Sequence, residues 1–132
     1  MELASLLVQQ LISQAKKAQQ RAYAPYSQFP VGAAVLSEDG RVFPGCNVEN
    51  ASFGLTVCAE RNAMAAAILA GATPVAVAVI GVRPELLPCG ACRQVLAEFN
   101  PQMLVVHIDS GGKPQIRSLA ELLPRGFQLR QE

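Results

Sequence analysis

Residues 58–99 read CAERNAMAAAILAGATPVAVAVIGVRPELLPCGACRQVLAEF, and the fold is decided within them. The run VAVAVIGV at 75–82 is apolar and uncharged, the pattern of a central strand buried on both faces. A helical pattern lies on either side of it. Before it, a series of alanines with Met64, Ile68 and Leu69 favours a helix, and Gly71 supplies a natural stop. After it, and after the loop RPELLP, the segment Cys89 to Phe99 predicts a second helix. A buried strand flanked by two helices is the building unit of a layered α/β domain.

The rest of the chain extends that unit. Leu3, Leu6, Leu7, Leu11, Ile12, Ala15 and Ala18 recur at helical spacing and predict an amphipathic helix over 3–22. Pro25 and Pro30 in YAPYSQFP prevent its continuation. VGAAVLSEDGRVFPGCNV at 31–48 predicts two strands turning at Asp39-Gly40, with Pro44 best tolerated at an edge or bulge. Downstream, MLVVHID predicts a further strand, GGK a turn, and IRSLAELLPRGFQL a short helix ended by Pro124. The expected architecture is a single α/β domain over 1–132: a three-layer α/β/α sandwich around one central mixed sheet.

Composition narrows the function classes. Eleven basic against ten acidic residues give a net charge of +1. There is no Lys/Arg stripe to follow a phosphate backbone, so no nucleic-acid partner is expected. No run of about 18 apolar residues would span a membrane. Gln9, Gln10, Gln14, Lys16 and Lys17 break up the N-terminal Leu and Ile positions, unlike a signal sequence. A cytoplasmic protein is expected, whose four cysteines serve metal binding or catalysis rather than disulfides. With 51% hydrophobic and 16% charged residues, some apolar surface is expected to be hidden between subunits.

Three of those cysteines sit where helices begin. Cys58 precedes AERNAMAAA, and Cys89 and Cys92 share the first turn of the next helix. Helix N-termini carry partial positive charge and stabilise thiolates. Helices flanking one strand can bring such ends together, and three thiolates suit zinc. Three protein ligands leave a fourth position for water, the mark of a catalytic centre. Glu60, two residues after Cys58, is placed to move protons beside that water. Arg61 or Arg93 could hydrogen-bond thiolate sulfur and offset its charge.

Together, CAER, PCGACRQ, YSQFPVGAA and NVENASFGLTVCAERNA resemble the zinc nucleoside deaminases, specifically the small homotetrameric cytidine deaminases. The motifs span roughly residues 23–95, and the resemblance implies a cytidine deaminase-like fold whose central mixed sheet has five strands. The resemblance implies one zinc per subunit held by Cys58, Cys89 and Cys92, with Glu60 the catalytic proton shuttle. It implies that Phe29 packs on the pyrimidine, that Asn47 and Glu49 hold the ribose hydroxyls, and that the Ala59 backbone meets the ring. Arg61 matches a position compensating thiolate charge, and Gln94 one supporting the metal surroundings. Phe127 resembles an aromatic residue reaching a neighbouring subunit's substrate. The implied reaction is hydrolytic deamination of cytidine and deoxycytidine, a step of pyrimidine salvage on a small nucleoside. Two departures stand out: Phe53 replaces a frequent Tyr, and the loop RPELL before Pro88 is shorter than in many relatives.

Other readings stay open at this stage. A closed structural zinc with Cys46 as fourth ligand would serve an interaction module, although only one Cys-x-x-Cys knuckle is present. A redox dithiol leaves Cys58 and Glu60 unexplained. An aminonucleoside antibiotic of the blasticidin S type is the rival substrate, since its deaminases look similar around PCGACRQ. His107 reads as a satisfied residue of its strand.

Overall fold

The computed structural model describes residues 2–129. The first helix, α1, covers Ser5–Gln19; β1 (Gly32–Ser37) and β2 (Val42–Cys46) follow as an antiparallel hairpin. A 3-10 turn at Phe53–Leu55 leads into α2 (Ala59–Leu69), then β3 (Pro74–Ile80), α3 (Gly90–Phe99), β4 (Leu104–Ile108), β5 (Pro114–Ser118) and α4 (Leu119–Leu122). The five strands form one sheet in the order β2-β1-β3-β4-β5. Among the neighbouring strands of this sheet only β3 and β4 pair in parallel, and α3 supplies the long crossover that a parallel pair requires. The mixed five-stranded sheet with helices on both faces agrees with the sequence expectation.

Alternation along the strands divides the core into two apolar layers. Ala34, Leu36, Ala76, Ala78 and Val106 face Leu11, Ile12 and Ala15 of α1. Ala33, Val35, Val77 and Val105 face Met64 and Ala67 of α2 and Leu96 of α3. Every residue of β1 is buried, as expected for an inner strand covered on both sides. Each fully buried Leu or Met contributes roughly 1.5–3 kcal/mol, so the two layers are the main source of stability.

Pro44 lies exposed on β2, an edge strand, where a missing N–H breaks no ladder. Three boundaries differ from the sequence reading. The first helix is shorter than 3–22 at both ends, and the central strand stops at Ile80 rather than residue 82. β5 occupies PQIRS, to which the pattern assigned no strand. All but the last of its residues are exposed, so no alternation marks it, and it forms by pairing along the open edge of β4.

The topology also fixes where two helices start. β2 and β3 both run antiparallel to β1, which lies between them, so both end at the same rim of the sheet. From that rim one connection leads into α2 and the other into α3. Two helix N-termini therefore meet above one edge of the sheet.

Candidate metal centre and substrate pocket

Cys58 is the N-cap of α2 and Cys89 the N-cap of α3. The Cys89 sulfur accepts the Cys92 backbone N–H at 3.4 Å, and the two sulfurs lie 3.3 Å apart. The sulfurs of Cys58, Cys89 and Cys92 all lie within 4.8 Å of one another. Cys46, half-buried in β2 opposite Gly32, is not part of this group.

The thiols share their protons unequally. A hydrogen bond from Cys92, with help from the neighbouring Arg61 guanidinium, holds the Cys58 thiol down at about 5 against the cost of burial. Cys92 is pushed the other way, first by that same bond to Cys58 and then by burial. Arg61 donates from Nη2 to the Thr56 carbonyl at 3.1 Å, while its buried Nε has no hydrogen-bond partner among the described residues. Three soft donors, one of them readily ionised, with a cation against them, fit a thiophilic tetrahedral metal. Zinc is the metal these residues would hold.

Glu60 is 5% exposed in the first turn of α2. Burial foremost, reinforced by the Cys58 charge, raises its carboxyl to about 7 against the opposing pull of its own amide and of Arg61. Such a group can both take and give a proton near neutrality. Cys58, Ala59 and Glu60 line a cavity of ≈ 170 Å³ together with Asn47, Leu86 and Leu87. A second cavity of ≈ 250 Å³ is lined by Tyr26, Ser27, Glu49 and Phe53, and Thr56 belongs to both. The larger hollow of ≈ 360 Å³, beside Lys16 and Asp109, shares Leu86 with the first cavity but is lined by none of the thiols and not by Glu60.

The remaining sequence candidates take distinct places. Asn47 is buried, with Oδ1 accepting the Val31 N–H at 2.8 Å and Nδ2 donating to the Phe29 carbonyl at 3.0 Å. Its amide thus fixes the backbone that carries Phe29. The Glu49 carboxylate accepts the N–H groups of Tyr26 and Ser27 at 2.9 and 3.2 Å and the Ser27 hydroxyl. That hydroxyl, above all, keeps Glu49 below the usual carboxylate range. Phe29 is half-buried beneath the Arg83 guanidinium, 5.6 Å from the ring centre, and does not line the cavity at Glu60.

Gln94 points to the C-terminal segment, donating to the Phe127 carbonyl at 2.8 Å and accepting its N–H at 3.0 Å. Phe127 is 70% exposed and lines a separate hollow with Arg125 and Pro101. The structure does not bring it to the thiols of its own chain. Arg93 donates to the carbonyls of Pro88 and Leu122 at 2.8 and 3.0 Å, bracing the approach to Cys89 rather than meeting sulfur. Thr56, Leu86 and Leu87 are pocket residues the sequence did not single out; they enter through the path of two loops, which no residue spacing encodes.

The comparisons with known proteins point to one family. Residues 7–108 match the model described as the cytidine and deoxycytidylate deaminase zinc-binding region. The chain is 46% identical over 123 residues to a cytidine deaminase of Sporosarcina psychrophila, covering 91% of this chain and 90% of that protein. It is 48% identical over 122 residues to a cytidine deaminase of Halalkalibacterium halodurans, covering 90% and 92%. The crystal structure of cytidine deaminase from Burkholderia pseudomallei superposes with a TM-score of 0.83 at 49% identity, covering 90% of this chain and 98% of that one. With its thiol trio and neighbouring carboxylate, the chain belongs to the zinc-binding cytidine and deoxycytidylate deaminase family.

Proposed function

We propose that this enzyme hydrolyses the 4-amino group of cytidine and deoxycytidine, releasing ammonia and leaving uridine or deoxyuridine. The observation that carries the reading is geometric: the buried Glu60 lines the same small cavity as Cys58 and Cys89, whose sulfurs lie within 4.8 Å of each other and of Cys92. Zinc held by Cys58, Cys89 and Cys92 supplies Lewis acidity that activates water at neutral pH. Glu60 removes a proton from the attacking water and delivers it to N3 of the base. It carries the second proton to the departing amino nitrogen, so one water is consumed for each ammonia released. Leu86, Leu87 and the Ala59 backbone enclose the base. Glu49, in the adjoining cavity, accepts from the sugar hydroxyls, and the Ser27 hydroxyl holds its carboxylate in place. Asn47 supports the sugar side by holding the backbone at Phe29 and Val31. Arg61 offsets thiolate charge at Cys58, and Gln94 fixes the segment that presents Phe127.

The same reading extends to assembly and setting. Phe127, exposed and tethered away from its own chain's pocket, suits a homotetramer in which it completes a neighbour's site. No helix among the described residues is long and apolar enough to cross a membrane, and the proposed setting is cytoplasmic pyrimidine salvage. The test is the ultraviolet change on adding cytidine, with zinc determined on the same sample and sedimentation for the assembly. Turnover confined to blasticidin S would overturn the substrate, and a zinc-loaded chain inactive on every aminopyrimidine nucleoside would overturn the reaction.

A further inference from the structure

The connection between β3 and α3 carries a polar arrangement that the proposed chemistry does not use. His107 on β4 is 1% exposed. Arg117 Nε donates to its Nε2 at 3.4 Å, which places the imidazole proton on Nδ1. Nδ1 is buried and has no hydrogen-bond partner among the described residues. A carboxylate oxygen of Glu85 stands 3.6 Å from it, just beyond a good hydrogen bond. A buried donor left in that state is unfavourable, and a charged acceptor is its best remedy.

Glu85 is also the point where the connection is tied to β4. Its backbone adopts a positive φ of 62°, and its N–H donates to the Ile108 carbonyl at 2.8 Å. Its carboxylate accepts the Ser110 N–H and hydroxyl, each at 3.3 Å. The next two residues, Leu86 and Leu87, line the same cavity as Cys58 and Glu60. From the other side Leu86 rests on Gly81, where a Cβ would lie 2.3 Å from Leu86 Cδ2 and 3.4 Å from the Phe29 ring. Leu86 is therefore held between the bare end of β3 and the Glu85 tie.

We propose that Glu85 and His107 are positioning residues, forming a latch that holds Leu86 as an affinity-determining wall of the base pocket. The proposal rests on the deaminase reading of that pocket. A base packed against Leu86 and Leu87 presses the connection toward β4 and closes the gap between Glu85 and Nδ1. The latch thus strengthens binding of substrate and product alike, and leaves the thiols and Glu60 unaffected.

The test compares zinc-loaded wild type with Glu85→Gly, Glu85→Gln and Gly81→Ala. Readouts are kcat and KM for cytidine, the uridine Kd by calorimetry, and zinc content. Glycine accepts the positive φ, so Glu85→Gly removes the latch without straining the turn. It should raise KM and the uridine Kd about fivefold, the equivalent of one hydrogen bond, with kcat and zinc retained. Glu85→Gln keeps the reach and an acceptor for Nδ1, and should return both constants to within about twofold of wild type. Gly81→Ala, independent of Glu85, should push Leu86 inward and raise both constants. Equal constants for an active wild type and Glu85→Gly overturn the latch, as does a loss confined to kcat. Unchanged constants in Gly81→Ala overturn the wall. An inactive wild type instead sinks the deaminase reading and the latch with it.

Discussion

Glu60→Gln should separate catalysis from stability in a single substitution. The Glu60 carboxyl is 5% exposed and rises from 4.5 to about 7, chiefly because burial disfavours its charge. In the unfolded chain the same group titrates as an ordinary carboxyl. Between those two values the folded state therefore holds a proton that the unfolded state has already lost. Stability falls as pH rises through that window: the penalty is absent below about 4.5 and complete above about 7. At 1.36 kcal/mol for each pH unit, the interval amounts to about 3 kcal/mol. Gln matches the protonated acid in shape and carries no charge. In chelator-treated protein, urea unfolding at pH 8 should show Glu60→Gln about 3 kcal/mol more stable than wild type, and the advantage should vanish below about pH 4.5. In zinc-loaded protein the variant should lose at least a factor of about 10²–10⁴ in ammonia release from cytidine, because its amide cannot carry the two protons. Deamination at the wild-type rate would refute the role of Glu60. A stability difference independent of pH would refute the electrostatic origin assigned to its raised pKa.

Cys89→Ala should abolish stoichiometric zinc in metal analysis, whereas Cys46→Ala should retain it, because only the former removes a sulfur from the trio. Loss of zinc from Cys46→Ala would revive a closed four-thiolate site. Asn47→Ala removes hydrogen bonds of 2.8 and 3.0 Å to Val31 and Phe29; at roughly 1 kcal/mol each, urea unfolding should record a loss of about 2 kcal/mol. Gly45→Ala would place a Cβ 2.4 Å from the Ala63 nitrogen and 2.7 Å from the Ala59 carbonyl oxygen. The backbone of α2 cannot yield as a side chain does, so a cost of roughly 1–3 kcal/mol is expected, together with weaker zinc retention as Cys58 moves. A variant that melts at the wild-type temperature with full zinc would contradict that packing.

The elements that were legible in the sequence are those whose burial is periodic or complete. VAVAVIGV announces a strand covered on both faces, and Leu11, Ile12 and Ala15 announce the buried face of α1. β5 was hidden for the opposite reason: PQIRS buries almost nothing, and its strand conformation is imposed by the edge of β4. The apolar pattern overruns the end of β3 because Gly81 and Val82 continue it past Ile80, where the strand stops; the space beside Gly81 is taken by Leu86 from farther along. Leu86, Leu87 and Thr56 escaped notice as pocket residues on the same account, since loop paths rather than periodicity bring them to Glu60.

The thiols could be read earlier because they violate a local preference. Helix N-caps favour Ser, Thr, Asp or Asn, whose oxygens accept the free N–H groups of the first turn. Cys58 occupies that position in α2 and makes no side-chain cap bond; Cys89 occupies it in α3 and offers only a 3.4 Å contact through sulfur. α1 also begins without a side-chain cap, at Ala4, but in α2 and α3 the weak cap is a thiol, both stand at the same rim of the sheet, and a third thiol lies one turn into α3. Poor capping repeated where two N-termini converge makes sense if sulfur is held there for another partner. The helix dipoles favour its ionised form, and a bound cation would reward it. Glu60 completes the pattern as a buried carboxyl in the first turn of α2, with a raised pKa despite its favourable end of the helix. Local rules are set aside at those positions while the alanine-rich body of α2 obeys them, and that contrast marks the rim of the sheet as the chemical centre of the molecule.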